Sequence, residues 1–234
     1  MFLMDWQHLL FVAIPMMLLL GLAQIWVSRA FRKWSKVRNR QGITGAEAAT
    51  VILREAGISD VRVERSDGFL TDHYSPMEKV VRLSSQNYDQ ASIAAVGVAA
   101  HEAGHAIQHA RGFVLVHLRT LAVPLASGAS LGYLVIIIGM FMMGKALNPI
   151  TIIGLLMIAG VAVFQLINLP VEFDASRRAL QILPGIGILS AEETVGARKV
   201  LTAAAMTYLA ATIAALWELF FWLLRLGIIG GGDD

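Results

Sequence analysis

Apolar residues gather in four long runs, separated by segments in which polar positions recur. The first run, Leu9–Val27, holds nineteen residues with Gln24 as its only polar side chain. At about 1.5 Å of rise per residue it makes roughly 29 Å of helix, the thickness of a hydrocarbon core. A secretory signal would carry a shorter apolar stretch behind basic residues, whereas here Asp5 precedes the run and the bases follow it. The run therefore predicts a retained transmembrane helix, in which Pro15 is tolerable if a neighbour satisfies the carbonyl it frees. Leu121–Gly144 carries no charge, and Pro149–Ile167 has only Thr151 and Gln165 as polar side chains. Val200–Trp217 is uncharged and continues through Glu218 to Leu224. All three are long enough to span, which predicts four transmembrane helices with the middle two joined as a hairpin. Gly128 and Gly132 give the second span a small-xxx-small face, suited to close packing or present because membrane helices tolerate glycine.

The segments between the runs have other periods. In residues 41–117, Thr44 stands three positions before Glu47 as a capping box, and a helix is predicted through Ala56, stopped by Gly57. Val61–Glu64 alternates like a strand, and Asp67-Gly68 and Ser75-Pro76 are turn signals. Phe69–Tyr74 and Lys79–Leu83 read as two more extended pieces, and Tyr88–Arg111 as a long helix ended by Gly112. In the second polar segment Asn168 can cap and Pro170 suits a first turn, which predicts a helix over Val171–Leu183, closed by Pro184-Gly185. Ser190 with Glu193 opens another helix that runs into the fourth span. The expected organisation is a transmembrane helix (1–28), a basic linker and α+β region (29–117), a transmembrane hairpin (118–168), a polar helix and loop (169–200), a fourth transmembrane helix (201–229) and a tail (230–234). The fold class is a mainly α integral membrane protein with a small α+β unit.

Composition agrees with this reading. An ordinary soluble domain is about 45–50% apolar and about 25% charged; this chain of 234 residues is 56% hydrophobic and 15% charged, with mean hydropathy +0.64. The formal net charge of +2 gives no field that would recruit nucleic acid. Its distribution carries more information than its sum. Arg29, Arg32, Lys33, Lys36, Arg38 and Arg40 follow the first run with no acid among them, His117 and Arg119 precede the second, and Arg198 and Lys199 precede the fourth. The positive-inside rule puts those flanks in the cytoplasm and both termini outside, in a multi-pass protein of the cell membrane. Glu218 and Arg225 lie seven residues apart in the fourth span, where they share a face and could pair, or Arg225 could snorkel to the interface.

The absence of cysteine excludes disulfide, iron–sulfur and thiolate zinc chemistry, so any metal must be held by histidine and carboxylate. His101-Glu102-Ala103-Gly104-His105 is an H-E-x-x-H sequence on a predicted helix, where residues four apart can offer both imidazoles to one ion. Zinc lowers the pKa of a bound water towards about 7, and Glu102 stands where a general base is needed. A catalytic zinc takes three protein ligands and keeps a fourth position open. Glu172 is the best third ligand, Asp174 competes, and His109 continues the helical face. His109 does not complete a metzincin pattern, because position 111 is Arg. The charge that develops on a scissile carbonyl oxygen also needs a stabiliser, for which His73, Tyr74, His109, Arg177 and Arg178 are candidates.

His101–His109 (HEAGHAIQH), Val171–Arg178 (VEFDASRR), Leu183–Gly187 (LPGIG), Leu70–Pro76 (LTDHYSP) and Gly196–Ala203 (GARKVLTA) together resemble the YugP-type membrane zinc peptidases over nearly the whole chain. More distantly the chain is similar to gluzincin membrane peptidases such as HtpX and the CAAX-processing proteases. That resemblance implies one zinc ion, a gluzincin-like catalytic unit, and a third ligand that opens an E-x-x-A-D helix. Glu172 matches that ligand and Ala175 the alanine; Ser176 stands where the acid would be, so that Asp174 or Ser176 is left to orient a histidine. It also implies an edge strand, Phe69–Tyr74 or Lys79–Leu83, that pairs with an extended polypeptide substrate. The expectation is a membrane zinc endopeptidase with its site facing the cytoplasm. A zinc hydrolase of a non-peptide bond and a non-catalytic, zinc-stabilised membrane scaffold are the other classes the residues allow.

Overall fold

The first apolar run folds as helix α1, Trp6–Trp34, which continues about two turns past the run and carries Arg29, Arg32 and Lys33 on its end. This computed structural model describes residues 6–68, 71–143 and 146–230. Asp5, Phe69, Leu70 and Gly144, which entered the expectations above, lie outside the described residues, as does the tail from 231 on. The fold divides into two units. One takes the chain up to Leu22, Leu118–Leu169 and the chain from Tyr208 on; the other takes Ala23–His117 and Pro170–Thr207.

The first unit is built from the apolar runs. Pro15 has no N–H to give the carbonyl of Phe11, and the turns at Leu9–Ala13 widen to a π-helix. The indole Nε1 of Trp217 donates to that carbonyl at 2.7 Å. The predicted second span is not one straight helix. Helix α5 (Val114–Ala122) passes through a 3-10 segment, Val123–Ser127, into α6 (Gly128–Met143), and Val114–Ser127 meets Ser130–Met143 at 45°. Pro124 sits at the start of the 3-10 segment, where its fixed φ and missing donor break the α-helical ladder. Helices α7 (Pro149–Gly185) and α8 (Ala191–Arg225) supply the remaining runs. Among the described residues three helices, α1, α7 and α8, are long and apolar enough to cross a membrane, and the bent pair would make a fourth.

The glycines of α6 have a packing role. A Cβ on Gly132 would come within 2.8 Å of Gly154 O on α7, and one on Gly154 within 2.6 Å of Gly132 O, so the two backbones touch. Glu218 and Arg225 do not pair with each other. Glu218 bonds His8 Nε2 at 2.9 Å and Trp222 Nε1 at 2.8 Å, and Arg225 donates to Gln7 Oε1 at 2.9 Å.

The second unit surrounds helix α4 (Ile93–Ala110). Helix α2 (Gly45–Glu55) opens on the Thr44–Glu47 capping box, with both reciprocal hydrogen bonds present. Strands β1 (Arg62–Ser66), β2 (His73–Ser75) and β3 (Val80–Ser84) form a sheet in the order β1-β3-β2, parallel between β1 and β3 and antiparallel between β2 and β3. Strand β3 is buried and central. Asp72 fixes the start of β2 by accepting from Ser84 N at 2.8 Å and Asn87 Nδ2 at 2.9 Å.

The helix expected over Tyr88–Arg111 is two pieces, α3 (Ser85–Asp89) and α4. Ser92 is extended between them, and its hydroxyl caps Ala95 N at 3.1 Å; capping by serine outweighs the apolar period that ran through it. Gly112 closes α4 with φ +63°. The predicted helix start at Asn168 and Pro170 is also overturned, since α7 passes through both without interruption. A proline can sit inside a membrane helix whose neighbours supply the packing. The third apolar run and the Val171–Leu183 segment therefore belong to one helix without a break. A core of Ile52, Leu53, Val81, Leu83, Ile107, Leu183 and Leu189, with the alanine face of α4, holds the unit together.

Candidate metal centre

Helix α4 presents an almost unbroken stripe of small residues, Ala94, Ala95, Ala99, Ala100, Ala103 and Ala106, all buried. Side chains this short let neighbouring helices approach closely. Gly104 takes this to its limit: a Cβ there would lie 2.8 Å from Ala175 O, inside contact distance. The glycine between the two histidines thus lets α4 rest on the backbone of α7.

That approach brings three donors together. His101 Nε2 lies 3.3 Å and His105 Nε2 3.5 Å from Glu172 Oε2, and the two imidazoles stand edge-on, 4.7 Å between centroids. Among the described residues these are the group of three or more His, Cys, Asp or Glu whose ligand atoms converge, all within 4.8 Å of one another. Glu172 is 2% exposed, and buried carboxylates need compensation. Glu102 is also buried, next to His101 on α4. Two imidazole nitrogens and one carboxylate oxygen are a donor set that suits zinc with a position left open.

The far side of each imidazole is also occupied. Ser176 Oγ, one turn after Glu172 and on the same face of α7, lies 3.1 Å from His101 Nδ1. Gln108 Oε1 lies 3.0 Å from His105 Nδ1, and Gln108 Nε2 donates to Val171 O and to Asp174 Oδ2, both at 2.9 Å. The amide therefore has its nitrogen committed to two acceptors and can offer His105 only its oxygen. In the neutral imidazole this contact puts the proton on Nδ1 and the lone pair on Nε2, toward Glu172. Asp174 does not join the converging group; its carboxylate accepts from Gln108, from Arg178 Nε at 2.5 Å and from Arg177.

The remaining candidates divide in two. Arg177 and Arg178 are engaged by Asp174, and Arg178 also lies over the Phe113 ring. Tyr74 and His109 are together, Tyr74 Oη 3.2 Å from His109 Nδ1, with His109 against His117 in turn. Burial raises the Tyr74 phenol above its ordinary pKa, with Asp60 adding to the effect, so it is a protonated donor at neutral pH. His73 is exposed on β2 and bonds the Thr71 carbonyl at 2.8 Å. Lys79–Leu83 cannot be an edge, because β3 is paired on both sides; among the described residues β2 has one unpaired side. Gln108 went unassigned from sequence, although it lies within HEAGHAIQH.

Residues 9–227 match the family described as "Putative neutral zinc metallopeptidase". The chain belongs to that family. This metallopeptidase is 42% identical over 212 residues to the "Putative membrane protease YugP" of Bacillus subtilis (strain 168), an alignment covering 91% of this chain and 92% of that protein. No solved structure matches the chain. Family membership, the similar membrane protease and the apolar helices make this a zinc metallopeptidase of a membrane.

Proposed function

We propose that the protein is a membrane-embedded endopeptidase in which His101, His105 and Glu172 hold one zinc ion and Glu102 is the general base. The observation that carries this reading is the convergence of the two Nε2 atoms on Glu172 Oε2 with both Nδ1 atoms bonded behind them. A zinc ion there would supply Lewis-acid activation of water and polarisation of the scissile carbonyl. Glu102 takes a proton from the attacking water and delivers it to the leaving amine nitrogen. Tyr74 and His109 are the donors assigned to stabilise developing negative charge, since Arg177 and Arg178 are committed to Asp174. The substrate is an extended polypeptide segment that adds to the free side of β2, whose main chain would align it. The resemblance to gluzincins supports that strand role, and the sheet order favours β2 over β3.

The bent pair counts as one span, which makes four passes with both termini outside and the site in the cytoplasm. The charge distribution supports this sidedness, because six cations follow the first run and Arg198 and Lys199 precede the fourth. The test is Glu102→Gln in purified protein. It is expected to bind zinc like the parent protein while peptide hydrolysis falls by at least about a hundredfold. Hydrolysis at the parent rate would overturn the assignment.

A further inference from the structure

The unit that holds the metal centre also carries a groove of about 500 Å³ where the end of α1 meets the start of α8. Trp26, Ala30 and Trp34 line it together with Arg29, Lys33, Arg198 and Lys199. Trp34 is held close to α8 by a missing side chain: a Cβ on Gly196 would lie 2.5 Å from the indole ring. Both lysines stand over that ring, Lys33 Nζ at 5.5 Å and Lys199 Nζ at 5.8 Å from its centroid. Two ammonium groups from different helices are thereby drawn to one aromatic ring.

Like charges gathered in this way repel one another, and their usual remedy is a carboxylate. Elsewhere in the unit that remedy is used: Arg40 meets Glu192, Arg65 meets Asp89, Lys79 meets Asp60 and Arg82 meets Glu64. Among the described residues none of Arg29, Lys33, Arg198 and Lys199 has an acidic partner. The four also have a common position along the chain. Arg29 follows the end of the first apolar run by two residues, and Lys199 directly precedes the start of the fourth. The groove therefore lies where two spans give way to polar chain, the depth at which headgroup phosphates sit and amphipathic indoles are enriched.

We propose that this groove binds the phosphate of an anionic phospholipid. The cations neutralise the headgroup, and Trp26, Ala30 and Trp34 pack against its glycerol and upper acyl carbons. Basic pockets between helices are suited to such headgroups, whereas a zwitterionic lipid brings its own cation and gains little from them. The site is independent of the metal centre and of the reaction assigned to it.

The proposal is tested on the full chain reconstituted in phosphatidylcholine bilayers, with spin-labelled phosphatidylglycerol and spin-labelled phosphatidylcholine compared by the fraction immobilised at the protein. Phosphatidylglycerol is expected to be preferred by about fivefold or more, and the Lys33→Gln/Lys199→Gln pair to bring the ratio close to one. Arg29→Gln/Arg198→Gln, which leaves both contacts to Trp34 in place, is expected to do the same and replaces the lysine pair if that pair fails to fold. Lys79→Gln, a cation of the same unit on the sheet, is expected to keep the preference. An unchanged ratio in either groove variant, or an equal loss in Lys79→Gln, would overturn the site in favour of diffuse attraction. Inorganic phosphate, matched in ionic strength against chloride, is expected to leave the preference intact. Displacement beyond the chloride control would show a soluble-anion site and overturn the lipid assignment.

Discussion

At the scale of single residues, Gln108 decides the chemistry of His105 from behind the ring, on the nitrogen that does not face Glu172. With Nε2 engaged by Val171 O and Asp174, its oxygen can only accept from His105. Asp174, bound in addition by two arginines, keeps the amide from rotating. Gln108→Leu removes both constraints and leaves a buried carboxylate short of a donor. Zinc affinity, read by competition with a chromogenic chelator, is expected to fall about 10–100-fold, with most of the activity restored at saturating zinc. A residue that acts on substrate would stay impaired there. The meeting of His101, His105 and Glu172 was legible from sequence because the H-E-x-x-H period and a helix-borne acid after an apolar run are local signals. Gln108 was not, since its partner Asp174 is 66 residues away and only the packing of two helices makes them neighbours.

At the scale of elements, the crossing of α4 and α7 depends on position 104. Gly104→Ala puts a methyl carbon within 2.8 Å of the Ala175 carbonyl, and backbone cannot swing aside as a flexible side chain can. The helices must separate, at a cost of about 1–3 kcal/mol. The separation moves Glu172 and Ser176 away from the histidines. The variant is expected to unfold at a lower temperature than the parent and to bind zinc more weakly; parent-like behaviour in both measurements would mean that the crossing has slack. Apolar periodicity found most helices correctly, and the Thr44 and Ser190 boxes located two starts to the residue. It failed where a local signal has two meanings. Pro170 reads as a helix start in water but is carried within α7, and Ser92 reads as part of a continuous helix but caps one. The order β1-β3-β2 had no sequence signal, because short strands of similar pattern do not state which is central. The tolerance of Pro15, by contrast, rests on an identifiable donor: Trp217 supplies the proton that the imino nitrogen cannot.

At the scale of the whole molecule, a bound metal is a term in stability. A ligand held only by the folded state stabilises it by RT ln(1 + [L]/Kd), about 4 kcal/mol at a thousandfold excess over Kd. Adding a strong chelator is therefore expected to lower the unfolding temperature of the parent protein in detergent, and readdition of zinc to restore it. Glu172→Ala is expected to start at the lowered value and to show no response to either. A parent protein indifferent to chelation would mean that the three donors are stable without an ion.

The continuity of α7 has a consequence for how the protein is made. Ribosomes deliver about 5–20 residues per second, so Glu172 emerges roughly 3–13 s after His105. Between them comes all of the hairpin, and Glu172 rides on the same unbroken helix as the third apolar run. A nascent chain that has displayed its two histidines still lacks the acid on which they converge. That acid arrives only behind a segment bound for the bilayer. Order of synthesis thus acts as a safety catch: the three converging donors cannot meet until three of the four apolar runs have been synthesised.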